Sequence, residues 1–176
     1  MARGEFVTSK AHLEHKIQAP RQVRCVVITC SDTRTRETDS SGALIMRLLK
    51  NHGHAVVAYH LVKDEPSTIK GKIKAAASNK AVQAIIINGG TGISRRDSTY
   101  EAVEAMLEKR LDGFGEIFRY LSYKEIGSPA ILSRATAGLF RGRALFSTPG
   151  SEAAVRLAME KLILPELPHM IREITK

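Results

Sequence analysis

Tryptophan is absent from this chain, aromatic residues make up 5% of it, and cysteine occurs twice among 176 residues. Few aromatics leave few platforms on which bases could stack, and no recognition-helix, zinc-finger or RNP-type signature occurs, so nucleic acid is not expected as a partner. Cys25 and Cys30 lie five apart on one expected strand. They should face opposite sides of it, which suits neither a C-x-x-C redox pair nor a zinc site, and both read as buried thiols. No stretch of about 18 consecutive apolar residues is present, so no membrane span is expected. The opening residues Met1, Ala2, Arg3, Gly4, Glu5 and Phe6 are too polar for a secretory h-region, which leaves the cytoplasm as the expected location. Several site chemistries are missing as well. Gly71-Lys72 is followed by Ile73 and lacks the upstream glycine of a Walker A loop, and Ser31-Asp32 stands where a Rossmann fingerprint would fall. Neither H-E-x-x-H nor G-x-S-x-G occurs, and the six histidines read as surface or packing residues.

What the chain does have is positive charge and alternating apolar runs. A net charge of +9 attracts anions, although the basic residues are spread along the whole chain and most belong to solvated helix faces. With 43% hydrophobic residues the chain fits one domain with a real core, burying roughly 70% of its unfolded surface. A polar, mobile leader is expected over residues 1–20 and a single α/β domain over 21–176. Val/Ile-rich runs at 24–29, 55–62 and 84–88 alternate with helical periods, the pattern of a parallel sheet with crossover helices. The first helix should start at Asp39 or Ser40 and present Leu44, Ile45, Leu48 and Leu49 inward before Gly53. The second should open at Pro66 and bury Ile69, Ile73, Ala76 and Ala77, and a third should bury Val103, Met106, Leu107 and Leu111. An aromatic-rich segment with Phe114, Phe118, Tyr120 and Tyr123 follows, then strand-like pieces around Ile131, Phe140 and 144–147. A last helix has Val155, Ala158, Met159 and Leu162 on one face. The expected fold is a three-layer α/β/α sandwich with a mostly parallel sheet.

Functional residues in such a sheet collect beyond the carboxyl ends of the strands. Four polar clusters fall there: Ser31-Asp32, Asp64, the run from Gly89 to Asp97, and Thr148-Pro149-Gly150-Ser151. Gly89, Gly90 and Gly92 remove the Cβ atoms that would keep backbone N–H groups away from phosphate oxygens. Thr91 adds a hydroxyl, Arg95 and Arg96 add planar cations, and Asp97 adds a carboxylate suited to a magnesium-bound phosphate. An ordinary strand-to-helix turn with exposed charges shares some of these features. An isolated Asp before a helix is more often its cap, and for Asp64 the sequence does not separate capping the second helix from serving as a site acid. For Asp97, the run Ser98-Thr99-Tyr100-Glu101 fits a capping box that would start the third helix without it and leave its carboxylate free.

Gly89-Gly90-Thr91-Gly92, four residues, then Asp97, with Thr99 and Glu101-Ala102 following, resembles the signature of the MoaB and MogA family of molybdenum-cofactor biosynthesis proteins. Asp64, Gly113-Phe114-Gly115-Glu116, Leu132-Ser133-Arg134-Ala135 and Pro149-Gly150-Ser151 extend the likeness over about residues 22–172, with the middle segment nearer the MoaB branch. The resemblance implies a molybdopterin-binding α/β fold and Mg²⁺-dependent transfer of AMP from ATP to molybdopterin with release of pyrophosphate. It makes Asp64 and Asp97 the essential acidic pair that would hold Mg²⁺. Gly89, Gly90, Thr91, Gly92 and Arg96, with Pro149, Gly150 and Ser151, become ligand-holding residues, and Ser31 and Asp32 join them as further ligand contacts. Tyr100 and Glu152 stand where the family commonly has proline, and Glu152 sets a negative charge beside an anion loop. The rival expectation is a family member that binds a pterin or nucleotide without adenylylating it. The family also forms trimers, which in the MoaB branch often pair into hexamers. The aromatic-rich segment, interrupted by Glu116, Arg119 and Lys124, is therefore expected between subunits of a homo-oligomer.

Overall fold

The computed structural model describes residues 19–176, so the leader expected over 1–20 lies outside the described residues apart from its last two. Strands β1 (Arg24–Cys30), β2 (Ala55–Val62) and β3 (Ala84–Asn88) are parallel, joined by crossover helices α1 (Ser40–Asn51) and α2 (Pro66–Ser78). Helix α3 (Thr99–Glu104), the short strand β4 (Lys109–Arg110), helix α4 (Asp112–Ile126) and a 3₁₀ turn (Ser128–Leu132) come next. Strands β5 (Thr136–Phe140) and β6 (Arg143–Thr148) form a hairpin whose two-residue turn places Arg141 and Gly142 at φ 50° and 68°. Helix α5 (Glu152–Ala158) runs through a π-helical turn (Met159–Ile163) into α6 (Leu164–Thr175). The sheet order is β2-β1-β3-β6-β5-β4; β2, β1, β3 and β6 are mutually parallel, and β5 is antiparallel to both its neighbours.

Both sheet faces are covered, which is why β3 is an unbroken apolar run rather than an alternating one. Ala84 and Ile86 pack with α1, α4, α5 and α6, while Ile85 and Ile87 pack with α2 and α3. The expected three layers are therefore present. Cys25 and Cys30 do fall on opposite faces, and burial pushes both thiols up to about 12, which makes them inert.

Sequence periodicity fails in four places. The third helix stops at Glu104, because the backbone of Lys109 and Arg110 pairs with Leu139 and Gly138 and Leu111 donates to Ala137 O at 2.8 Å. That pairing draws Leu111 out to the surface, although Val103 and Met106 are buried as expected. The capping box does not form: the Ser98 hydroxyl turns to Asp64 and Glu101 pairs with Arg134. Ile131 lies in the 3₁₀ turn, not in a strand. The aromatic segment divides between environments, with Phe118 fully buried in the core and Tyr120 and Tyr123 exposed on the outer face of α4.

Candidate functional site

Because β2, β1, β3 and β6 are adjacent and parallel, the loops leaving their carboxyl ends converge. The chain steps outward from β1 to β2 and crosses back to β3, so the strand order reverses at β1 and β3, where open α/β sheets form ligand crevices. Hydrogen bonds lock the loops together, from Ser31 N to Val62 O at 2.9 Å and from Gly89 N to Thr148 O at 3.1 Å. Gly89, at φ 95°, packs so tightly that a Cβ there would strike Cys30 O. A cleft of about 410 Å³ results, lined by Cys30, Ser31, Thr33, Arg34, Gly89, Gly90, Thr91, Gly92, Asp97, Leu132, Ser133, Pro149 and Gly150. A depression of about 440 Å³ over α4 and the 3₁₀ turn is lined by Arg119, Tyr120, Tyr123, Ser128, Ala130 and Ile131. It gathers no carboxylate and no glycine loop, whereas the first cleft takes in Asp97 and Gly89 to Gly92, so the chemistry points to the first cleft.

The glycine loop has its carbonyls anchored and its amides free. Gly90 O accepts from Thr99 N at 2.9 Å, Thr91 O from Arg134 Nε at 2.8 Å, and Gly92 O from Arg134 Nη2. Among the described residues, the N–H groups of Gly90, Thr91, Gly92 and Ile93 donate to no other protein group. Successive unpaired backbone donors form an anion-binding concavity. Gly90 is at φ 60°, and a Cβ there would collide with the Asp64 carboxylate and Thr99 Oγ1, so this position needs glycine for both backbone angle and space.

Asp64 is buried and does not cap α2, whose N-cap position is Glu65. Its Oδ1 accepts from Ser98 N at 3.2 Å, Ser98 Oγ at 2.8 Å and Thr99 Oγ1 at 3.1 Å, while Oδ2 lies against Gly90 without a hydrogen bond. Asp97 uses Oδ2 to accept from Ser94 N at 3.0 Å, and its Oδ1 has no partner among the described residues. The two acids therefore border the glycine loop with one unengaged oxygen each. Among the described residues no cluster of three or more His, Cys, Asp or Glu could enclose a metal ion. Two carboxylates with spare oxygens suit Mg²⁺, which keeps several waters and takes the rest of its ligands from substrate phosphates.

Other residues expected as ligand contacts have partners within the protein. Arg96 donates to Asp32 Oδ2 from Nη2 at 2.6 Å and from Nε at 3.1 Å, which holds the Asp32 carboxyl below its usual range. Asp32 Oδ1 in turn accepts from Asp64 N at 3.2 Å. Arg96, Asp32, Asp64 and Ser151 do not line the cleft; of the expected acidic pair Asp97 alone does, and Asp64 lies behind Gly90. Ser151 caps α5, accepting from Ala154 N at 3.3 Å, and Glu152 faces Arg156 at 3.5 Å. Ser31 lines the cleft while its Oγ turns the following loop by accepting from Arg34 N at 3.1 Å.

The sequence reading missed two arginines. Arg34 lines the cleft, donating from Nη1 to Asp39 at 3.1 Å and from Nη2 to Gly150 O at 2.9 Å, a carbonyl that also accepts from Ser41 Oγ at 2.7 Å. Asp39 is buried as well; burial alone would raise its carboxyl, but donors from Thr29, Tyr59 and Gly42 bring it below the usual range. Arg134 holds the glycine loop and stacks over Tyr100, 4.7 Å from the ring centre. In the sequence Arg134 stood out only through the Leu132-Ser133-Arg134-Ala135 likeness; in the structure it pairs with Glu101, the residue assigned to the capping box.

Comparison with known proteins identifies the family and the fold. Residues 26–169 match the family described as "Probable molybdopterin binding domain", and the chain belongs to this family. It is 56% identical over 164 residues to molybdenum cofactor biosynthesis protein B of Halalkalibacterium halodurans, covering 93% of this chain and 96% of that one. A crystal structure of a molybdenum cofactor biosynthesis protein B superposes with TM-score 0.87 at 53% identity, covering 90% of this chain and 99% of the other. The tungsten cofactor synthesizing protein MoaB of Pyrococcus furiosus superposes with TM-score 0.81 at 35% identity, over 90% and 100%. Relatives of this MoaB type place the chain's role in molybdenum cofactor biosynthesis.

Proposed function

We propose that the protein is a cytoplasmic, Mg²⁺-dependent adenylyltransferase that moves AMP from ATP onto the terminal phosphate of molybdopterin and releases pyrophosphate. The observation that carries this reading is the row of four N–H groups, Gly90 to Ile93, unpaired among the described residues and bordered by the spare oxygens of Asp64 and Asp97. The substrates are polyanionic, and the site offers fixed donors rather than a base. A phosphate monoester is already a competent nucleophile at pH 7. One of its oxygens attacks the α-phosphorus of ATP, the bond to the β-phosphate oxygen breaks, and the electron pair leaves with pyrophosphate. Positioning and charge stabilisation do the work. Asp64 Oδ2 and Asp97 Oδ1 would hold Mg²⁺, which supplies Lewis-acid stabilisation of phosphate charge when bound. The loop amides hold phosphate oxygens, and the Arg34 guanidinium adds positive charge at the cleft wall.

The working unit is a homo-oligomer built on trimers, with the outer face of α4 between subunits. Tyr120, Tyr123, Ile117 and Ile126 on that helix and Ile131 beside it are all at least half exposed, a cluster of apolar side chains at the surface. Incubation with ATP, Mg²⁺ and molybdopterin tests the activity: adenylylated pterin and pyrophosphate should appear in equal amounts and disappear with EDTA. Ligand binding without pyrophosphate release would instead make this chain a non-catalytic binding module.

A further inference from the structure

We infer that Arg134 is a positioning residue that sets the phosphate-binding geometry of the glycine loop from behind, through shape rather than charge. The inference rests on reading that loop as a phosphate holder. In a trans peptide unit the carbonyl of one residue and the N–H of the next point in opposite directions. Thr91 O and Gly92 O both accept from Arg134, through Nε and Nη2 respectively. The N–H groups of Gly92 and Ile93 must therefore point away from Arg134. Gly90 O is held in the same sense by Thr99 N, which turns the Thr91 N–H to match. Two of three consecutive peptide orientations thus depend on one side chain 42 and 43 positions away.

The guanidinium is itself fixed on two further sides. Glu101 pairs with Nη1, and the Tyr100 ring lies under the plane with its centre 4.7 Å away. The pairing also holds the Glu101 carboxyl below its usual range. A planar fork can reach two neighbouring carbonyls, a carboxylate and a ring face at once; a lysine ammonium carries the same charge but cannot. Glycines alone would leave these peptides free to flip. The arginine converts a permissive loop into a preorganised one, and the loop's freedom is what makes such a clamp necessary.

The test compares wild type with Arg134→Lys, Arg134→Gln and Glu101→Gln. In ligand-free protein the backbone amide resonances of Gly92 and Ile93 should shift or broaden in both Arg134 variants, while those of Ile86 and Leu145 in the core stay in place. By calorimetry with Mg²⁺ present, inorganic pyrophosphate should bind at least tenfold more weakly to Arg134→Lys and Arg134→Gln alike, with Glu101→Gln intermediate. Stationary loop amides would overturn the inference, and so would wild-type pyrophosphate affinity in Arg134→Lys, because a charge-only role survives that change. The amide readout needs no substrate, so it decides the positioning role even if the wild-type protein proves not to transfer AMP.

Discussion

Asp97→Asn separates the two acids and puts the metal reading at risk. Asp97 Oδ2 accepts one hydrogen bond, from Ser94 N at 3.0 Å. Asparagine keeps an acceptor oxygen of the same shape, so a charge-assisted bond becomes a neutral one at a cost of about 0.5–1 kcal/mol. For a domain of this size each kcal/mol moves the melting temperature by roughly 2–4 °C, so the variant should melt within about 4 °C of wild type. Its lost negative charge falls instead on the unpartnered Oδ1. If that oxygen holds Mg²⁺ against ATP, a loss of about 4 kcal/mol of charge stabilisation lowers turnover roughly a thousandfold. Part of the loss should return at raised Mg²⁺. Asp64→Asn should lose turnover to a similar degree but melt distinctly lower. Its Oδ1 serves three donors, and an amide nitrogen replacing Oδ2 would be pressed against Gly90. Pyrophosphate release measured across a Mg²⁺ titration, alongside thermal melts, gives both numbers. Turnover of Asp97→Asn within threefold of wild type would refute the reasoning.

Three further outcomes follow from the same geometry. The Asp39 carboxyl sits below its usual range, so its stabilisation is complete above about pH 4 and is lost as pH falls through the lower folded-state value. Asp39→Asn should therefore cost about 2 kcal/mol at pH 7 and flatten the acid limb of melting temperature against pH; an acid limb as steep as wild type's would show that other carboxylates set it. Light scattering should give three or six times the 19.3 kDa chain mass, and Tyr120→Asp with Tyr123→Asp should reduce it without unfolding, whereas Phe118 cannot be used this way because it belongs to the core. Gly90→Val should abolish detectable pyrophosphate binding, because its Cβ would displace Asp64 and Thr99 Oγ1 at a positive φ; unchanged affinity would remove the loop from the site.

The parts of this fold that could be read from the sequence are those whose cause is local. The Val/Ile runs of β1, β2 and β3, the Asp39 cap and the Pro66 start of α2 each act within a few residues, and each lies where the periodicity predicts. Gly89, Gly90 and Gly92 are local as well, since the positive φ of the first two and the lack of room for a Cβ at all three account for glycine there. Local evidence misled where a distant partner offered a polar group something stronger. Ser98 has the spacing of a helix cap, yet its hydroxyl donates to Asp64, 34 positions earlier. Arg96 has no partner that its neighbours in sequence reveal, yet it pairs with Asp32, 64 positions earlier.

The same logic explains why the two arginine clamps went unseen. Arg34 reaches Gly150 across 116 positions and Arg134 reaches Thr91 across 43, and in both cases the partner is a backbone carbonyl, which every residue carries and no sequence marks. A glycine loop announces that the backbone must come close to something. Which way its amides face is decided by whatever grips the carbonyls on the far side. The residues proposed to face the ligand are marked by their types in the sequence, while what orients them existed only once β1, β3 and β6 had brought their loops together.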